Sequence, residues 1–280
     1  MIPILKEPRM QRFFSWIRRS TDVSAASVRR PRDVIRRSWA ARLPSYAERA
    51  ARRRHEKPTL QGRRLTCSFG EGVARTTPLR EVSVDLYRGQ LVLLMGVSGS
   101  GKSTLLSVLS GMLRPDNGSV LVLGEDFWRM TPQAQERFRL RHFGFVFQKP
   151  NLIPALTARQ QLEMMLRWGE GIPAREARRK AEEVLAKLGL TGRADCRPIQ
   201  LSGGEQQRVA IGRALIKEPT FIFADEPTSA LDHEHGRNVM NLFRATAHER
   251  GATVLMVTHD EDLVSYADRV FRLKEGRLAY

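Results

Sequence analysis

The chain has 280 residues, a formal net charge of +17, 41% hydrophobic residues and only two cysteines, Cys67 and Cys196. That length holds one large domain or two small ones, with enough apolar residues for a sizeable core. No apolar run approaches the roughly 20 residues that span a bilayer. The cysteines lie outside any CxxC or His/Cys ligand spacing, so a disulfide framework and a metal ribbon are set aside in favour of two reduced thiols.

The charge is uneven. Residues 1–57 hold 16 Lys and Arg against 5 acids, so the basic balance describes mainly this extension and argues only weakly for nucleic-acid binding. Met10, Phe13, Phe14 and Ile17 fall at helical spacing with Arg12, Arg18 and Arg19 around them. That pattern suits a short basic amphipathic helix on an anionic membrane surface. An organellar transit peptide, a disordered basic tail and a start assigned too far upstream suit the same composition, and residues 1–57 stay open among these readings.

From about Thr59 the texture changes. Strand-like runs RRLTCSF, REVSVDL, QLVLLMG and SVLVLG are bounded by turns such as YRGQ and RPDNG. A helical run, TLLSVLSGML, follows and is ended by Arg114-Pro115. Residues 131–200 read as largely helical. Strand–helix alternation then resumes with TFIFAD, a helix near 236–250, TVLMVTH, a further short helix and a closing hairpin, VFRLKEGRLAY. The pattern predicts one α/β domain over 58–280 with a helical insertion at about 149–210.

Between QLVLLM and the helix lies Gly96-Val97-Ser98-Gly99-Ser100-Gly101-Lys102-Ser103-Thr104, which fits GxxxxGK[ST] in the required strand–loop–helix context. Its glycines let successive backbone N–H groups turn onto phosphates, and the helix N-terminus adds partial positive charge. Lys102 is placed to reach the β- and γ-phosphates and the Ser103 hydroxyl to ligate Mg²⁺. The expected ligand is a nucleoside triphosphate. The run FIFADEP then delivers Asp225 at a strand end, where it can hold the metal through water. Glu226 beside it is a candidate general base for an attacking water.

One stretch resists the ordinary reading. In LSGGEQQR (201–208) Ser202 suits a helix N-cap and Glu205 the third position of a capping box. Two glycines in the first turn nevertheless cost about 1 kcal/mol each relative to alanine.

Taken in order, GVSGSGKST, FVFQ, LSGGEQQR, FIFADEPTSALD and VTHD resemble the motif set of the ATP-binding subunits of ABC transporters, over roughly residues 59–280. NLIPALTARQQLEMML, PIQLSGGEQQRVAIGRAL and YADRVFRLKEGRL resemble the MacB/LolD/FtsE group, and within it the DevA type. Val97, where many relatives have Pro, and the basic extension depart from that pattern. The resemblance implies a P-loop NTPase fold of ABC type: a RecA-like core, an antiparallel β subdomain and a helical subdomain. It implies ATP and Mg²⁺ as cofactors, with Gln148 sensing the metal and the attacking water. His259 would contact the γ-phosphate and hold Glu226 in line. Phe69 would stack on adenine, a place where many members have Tyr.

The resemblance further implies a head-to-tail homodimer. Ser202, Gly203, Gly204 and Asp232 would then act on the ATP held by the other copy, the glycines letting the backbone approach its γ-phosphate. The implied setting is peripheral, on the cytoplasmic face of the inner membrane, driving a separate permease with or without a periplasmic adaptor, in export or envelope lipid and glycolipid handling. No specific nucleic acid is expected. An ATP-driven signalling regulator of the cell-division type and a soluble ABC ATPase acting on ribosomes or DNA are the alternatives.

Overall fold

The computed structural model describes residues 57–70 and 75–279; the amphipathic segment expected at 10–17 lies outside them. Four strands form an antiparallel sheet: β1 (Leu60–Phe69), β2 (Thr76–Leu86), β4 (Asn117–Val122) and β5 (Glu125–Asp126), in the order β2-β1-β4-β5. Leu60, Gly62, Leu65 and Cys67 of β1 turn inward with Leu79, Val82 and Val84 of β2, while Gln61, Arg63, Arg64, Thr66, Arg80, Glu81 and Ser83 between them are more exposed. This is the alternation expected of a sheet with one face on the core.

The second sheet is a different kind of object. β3 (Leu91–Met95), β7 (Phe221–Asp225) and β8 (Thr253–Val257) are buried along their whole length except at Asp225. Such unbroken apolar runs suit parallel strands covered on both faces. β6 (Phe143–Val146) and β9 (Arg269–Lys274) flank them and β10 (Arg277–Ala279) returns antiparallel, giving the order β10-β9-β3-β8-β7-β6. In register, Leu94 and Asp225 both lie level with Val257, and Val146 with Ala224.

Helix α1 (Lys102–Leu109) buries Leu105, Leu106, Val108 and Leu109 in a core that draws on both sheets. A second core joins the parallel sheet to α3 (Ala158–Gly169), α4 (Ala174–Lys187), α5 (Gly203–Leu215) and α6 (His233–Arg250). The first three of these helices fall between β6 and β7 in the chain.

Three local expectations change. α1 stops at Leu109 rather than running to Leu113, because Met112 N and Leu113 N both turn back to the Ser107 carbonyl. Phe143–Val146, in a stretch expected to be largely helical, is strand β6, following α2 (Pro132–His142). Its sequence, FGFV, is aromatic and β-branched, Phe143 packs on Phe221 and Phe223 at centroid distances of 5.5 and 5.1 Å, and Gly144 lets the Ala214 carbonyl approach closely. The short helix expected after His259 is a 3₁₀ segment, Glu261–Tyr266, capped by Asp260.

Candidate functional site

The carboxyl ends of four neighbouring parallel strands carry the expected groups. The Gly96–Thr104 loop follows β3, His259 lies just past β8, Asp225 ends β7 with Glu226 next, and Gln148 follows β6. Because the sheet order is β3-β8-β7-β6, they line up along one edge of the sheet at strand spacings of about 4.8 Å. Ligands of open α/β sheets bind outside this edge.

The loop is shaped by what its glycines permit. Gly101 has φ 101°, and a Cβ there would sit 2.2 Å from the Pro78 carbonyl oxygen; at Gly96, φ 147°, it would sit 2.2 Å from that of Leu273. Neither backbone can yield, so the loop tolerates no side chain at these points. Lys102 Nζ arches over it and donates to the carbonyls of Gly96 at 2.8 Å and Val97 at 2.9 Å. The N-terminus of α1 has no side-chain cap, which leaves its first-turn amides for another acceptor. Ser100 is buried, yet its Oγ has no hydrogen-bond partner among the described residues. Val97, Ser98, Gly99 and Ser103 are exposed, and Thr104 is half-buried. Backbone donors, an ammonium and an orphaned hydroxyl at one helix start suit a bound polyphosphate.

Glu226 occupies the left-handed region with φ 48°, a conformation that costs a non-glycine residue about 1–3 kcal/mol. Its own N–H donates to Val257 O at 2.9 Å, and its carbonyl accepts from Ser229 N and Oγ. These bonds hold the strained backbone while the side chain meets His259, whose Nδ1 lies 2.8 Å from Glu226 Oε1. The imidazole is largely exposed and the carboxylate largely covered. Glu226, by hydrogen bond and by charge, raises the His259 pKa above its ordinary value, and Asp260 adds to this while Lys102 opposes it. Glu226, just past the end of β7, and the histidine 33 residues later are thus one unit.

The other expected residues fall into place differently. Gln148 is exposed immediately beyond β6, and Phe69 ends β1 with 46% of its surface exposed. Ser202 caps α5: its Oγ accepts from Glu205 N at 3.2 Å, and Glu205 Oε2 accepts from Ser202 N at 2.8 Å. Arg193 Nε donates to Glu205 Oε1 at 2.9 Å. The Ser202 amide and Arg193 together hold the Glu205 carboxyl below its usual range. Gly203 faces open space, whereas a Cβ at Gly204 would meet the Ala230 carbonyl oxygen at 3.1 Å. The second glycine thus has a packing reason besides any reason of access. Asp232 caps α6 by accepting from His235 N at 2.9 Å, and its carboxylate also meets His235 Nδ1. Among the described residues no hydrogen bond links 202–208 to the Gly96–Thr104 loop.

Sequence reasoning missed Gln207 and Arg213 of α5. Gln207 Nε2 donates to Phe147 O at 3.1 Å, and Arg213 donates to Pro150 O at 2.9 Å and Asn151 O at 2.8 Å. Neither is marked in the sequence, because α5 is buried almost without a break from Gln207 to Leu215 and no apolar stripe sets them apart.

Comparison with known proteins gives this arrangement a context. The sequence profile of the ABC transporter family matches residues 79–229. The chain is 42% identical over 219 residues to a putative hemin import ATP-binding protein, HrtA, of Staphylococcus haemolyticus, covering 78% of this chain and 98% of that one. It is 40% identical over 213 residues to the macrolide export ATP-binding/permease protein MacB of Salmonella choleraesuis, covering 76% of this chain but only 33% of that one. Among solved structures, a dimeric ATP-binding cassette in a post-hydrolysis state with ADP and Pi superposes with a TM-score of 0.76 at 36% identity, covering 79% of this chain and 97% of that one. The α/β fold with its phosphate loop is that of an ABC ATPase, and this chain belongs to the ABC transporter family as an ATP-binding protein.

Proposed function

We propose that two copies of this ATPase close head to tail on two Mg·ATP, each nucleotide held between the phosphate loop of one copy and Ser202, Gly203 and Gly204 of the other. Opening after hydrolysis then drives a separate membrane permease from the cytoplasmic face of the membrane, with or without a periplasmic adaptor. The observation that carries the catalytic reading is the Glu226–His259 pair at the carboxyl edge of the sheet, beside the Asp225 strand end. Support for the dimer comes from the cassette solved as a dimer with ADP and Pi, and from the capped, exposed start of α5, whose capping bonds are within its own first turn and, among the described residues, not to its own phosphate loop. Support for a permease partner comes from MacB, whose name joins ATP-binding and permease functions. No described helix of this chain is long and apolar enough to cross a membrane.

Each group has a physical task in this scheme. Phe69 offers its exposed ring to adenine, and Lys102 with the amides of Gly99–Thr104 neutralises the phosphates. Mg²⁺ prefers one or two carboxylates with phosphate oxygens and water. Asp225, the Ser103 hydroxyl and the Gln148 amide oxygen are such a donor set, and the ion would withdraw charge from the transferring phosphoryl group. Glu226 accepts the proton of the attacking water. Protonated His259 donates from both ring nitrogens, Nδ1 to Glu226 and Nε2 to a γ-phosphate oxygen. Asp232 reaches the partner from the α6 cap, and residues 149–210 act as the helical subdomain. Cargo differs between hemin for the HrtA relative and macrolides for the MacB relative, which suits specificity residing in the permease.

The test is Glu226→Gln. It should bind ATP as the parent does, assemble a stable ATP dimer, and lose turnover by 10²–10⁴-fold, the usual worth of a general base. A variant that hydrolyses at the parental rate would remove Glu226 from the catalytic role.

A further inference from the structure

The first half of LSGGEQQR is used by the scheme above; the two glutamines are not. Gln206 and Gln207 are adjacent in α5 and reach opposite neighbours. Gln206 Nε2 donates to Pro198 O at 3.0 Å and Leu201 O at 3.1 Å, holding the segment that leads into Ser202. Gln207 Nε2 donates to Phe147 O, the carbonyl just before Gln148. Further along the same helix Arg213 takes the carbonyls of Pro150 and Asn151. Gln148 therefore sits in a short segment pinned on both sides by one helix, and that helix begins at Ser202.

Packing alone does not explain these side chains. Gln207 is completely buried, and its Oε1 has no partner among the described residues. A buried amide left half satisfied is worse for stability than an apolar side chain of similar size. Its orientation is dictated, because a carbonyl such as Phe147 O accepts only, so the NH₂ end must face it. Arg213 likewise spends two donors on loop carbonyls. α5 is 13 residues long, about 20 Å of stiff rod, with the Ser202 end facing outward and the Gln148 segment tied to its flank.

We propose that Gln207 and Arg213 are positioning residues that couple Gln148 to α5. A displacement of the Ser202 end of α5 by the partner's ATP is thereby delivered to the Gln148 that serves the subunit's own ATP. This rests on the roles given above to Ser202 and Gln148. In a closed dimer each α5 touches both nucleotides, one directly and one through the Gln148 segment, so the two sites share a mechanical link.

The experiment measures single-turnover hydrolysis by the full chain as a function of Mg²⁺, for Gln207→Leu, Arg213→Met, Gln148→Ala and the double variant Gln148→Ala/Gln207→Leu. Gln207→Leu and Arg213→Met should keep ATP affinity of the monomer within about twofold. Each should slow hydrolysis about tenfold and raise the Mg²⁺ needed for half the maximal rate. Adding Gln207→Leu to Gln148→Ala should cost nothing more, because the latch acts only through Gln148. The proposal is overturned if both latch variants hydrolyse with parental rate and Mg²⁺ dependence while Gln148→Ala does not, or if the two losses multiply in the double variant. If Gln148→Ala itself behaves as the parent, the assignment of Gln148 fails and the latch falls with it. Should Gln207→Leu fold poorly, Arg213→Met reads the same outcomes from the other end of the segment.

Discussion

Replacing Ser202 by aspartate separates its role as the cap of α5 from the partner-facing role proposed above. As a cap, aspartate serves as well as serine, whereas alanine costs about 1 kcal/mol. The new carboxylate would stand near Glu205, whose Oε2 lies 2.8 Å from Ser202 N, but Arg193 at 2.9 Å already balances Glu205 and the helix N-terminus favours negative charge. Ser202→Asp should therefore melt within about 2 °C of the parent, while Ser202→Ala should melt about 2–4 °C lower, the shift that 1 kcal/mol makes in a domain of this size. Facing a γ-phosphate from the partner, the order reverses. One like-charge contact at about 4 Å and an effective dielectric of about 20 costs about 4 kcal/mol, near 10³-fold in the dimer dissociation constant for each of two sites. Alanine loses only one hydrogen bond, about 1 kcal/mol per site. Light scattering with Mg·ATP in the Glu226→Gln background reads dimerisation, and thermal unfolding reads the cap. Dimerisation of Ser202→Asp at the parental concentration would refute the reasoning, as would the same ranking of the two variants in both assays.

Two further predictions concern single groups. In the nucleotide-free protein the raised pKa of His259 means that the imidazolium persists above the ordinary histidine range of about 6.5. The stability it contributes is present below that range and is lost as pH rises through the raised value. Titration of the ring by NMR should show its pKa falling in Glu226→Gln, and an unchanged value would separate the two side chains. Phe69 is substantially exposed at the end of β1, so Phe69→Ala should leave the melting temperature unaltered. It should weaken ATP binding by the 1–3 kcal/mol typical of aromatic–base stacking and leave tripolyphosphate binding as it was. Calorimetry giving equal losses for both ligands would place the ring away from the base.

Much of the site is legible in the chain because the chemistry needs local geometry. A phosphate loop must follow a strand and open a helix, so Gly96–Thr104 is readable from neighbours alone, as is Asp225 at the end of an unbroken apolar run. Strand β6 was hidden because FGFV is too short to show a period, and its identity depends on pairing with β7, about 80 residues away in the chain. Gly204 reads as an access glycine in sequence, yet it also fits beneath the Ala230 carbonyl. Gln207 could not be picked out, because periodicity carries no information in a helix buried on nearly every side.

The phosphate loop and the capping box at Ser202 were determined by sequence alone, since each rests on bonds within a few residues. Only the tertiary structure decided that β3, β8, β7 and β6 stand side by side, and so that His259 closes on Glu226 and that α5 grips the Gln148 segment. Parallel strands meet through long crossovers, and the register that aligns their carboxyl ends is set by the packing of both faces rather than by any local signal.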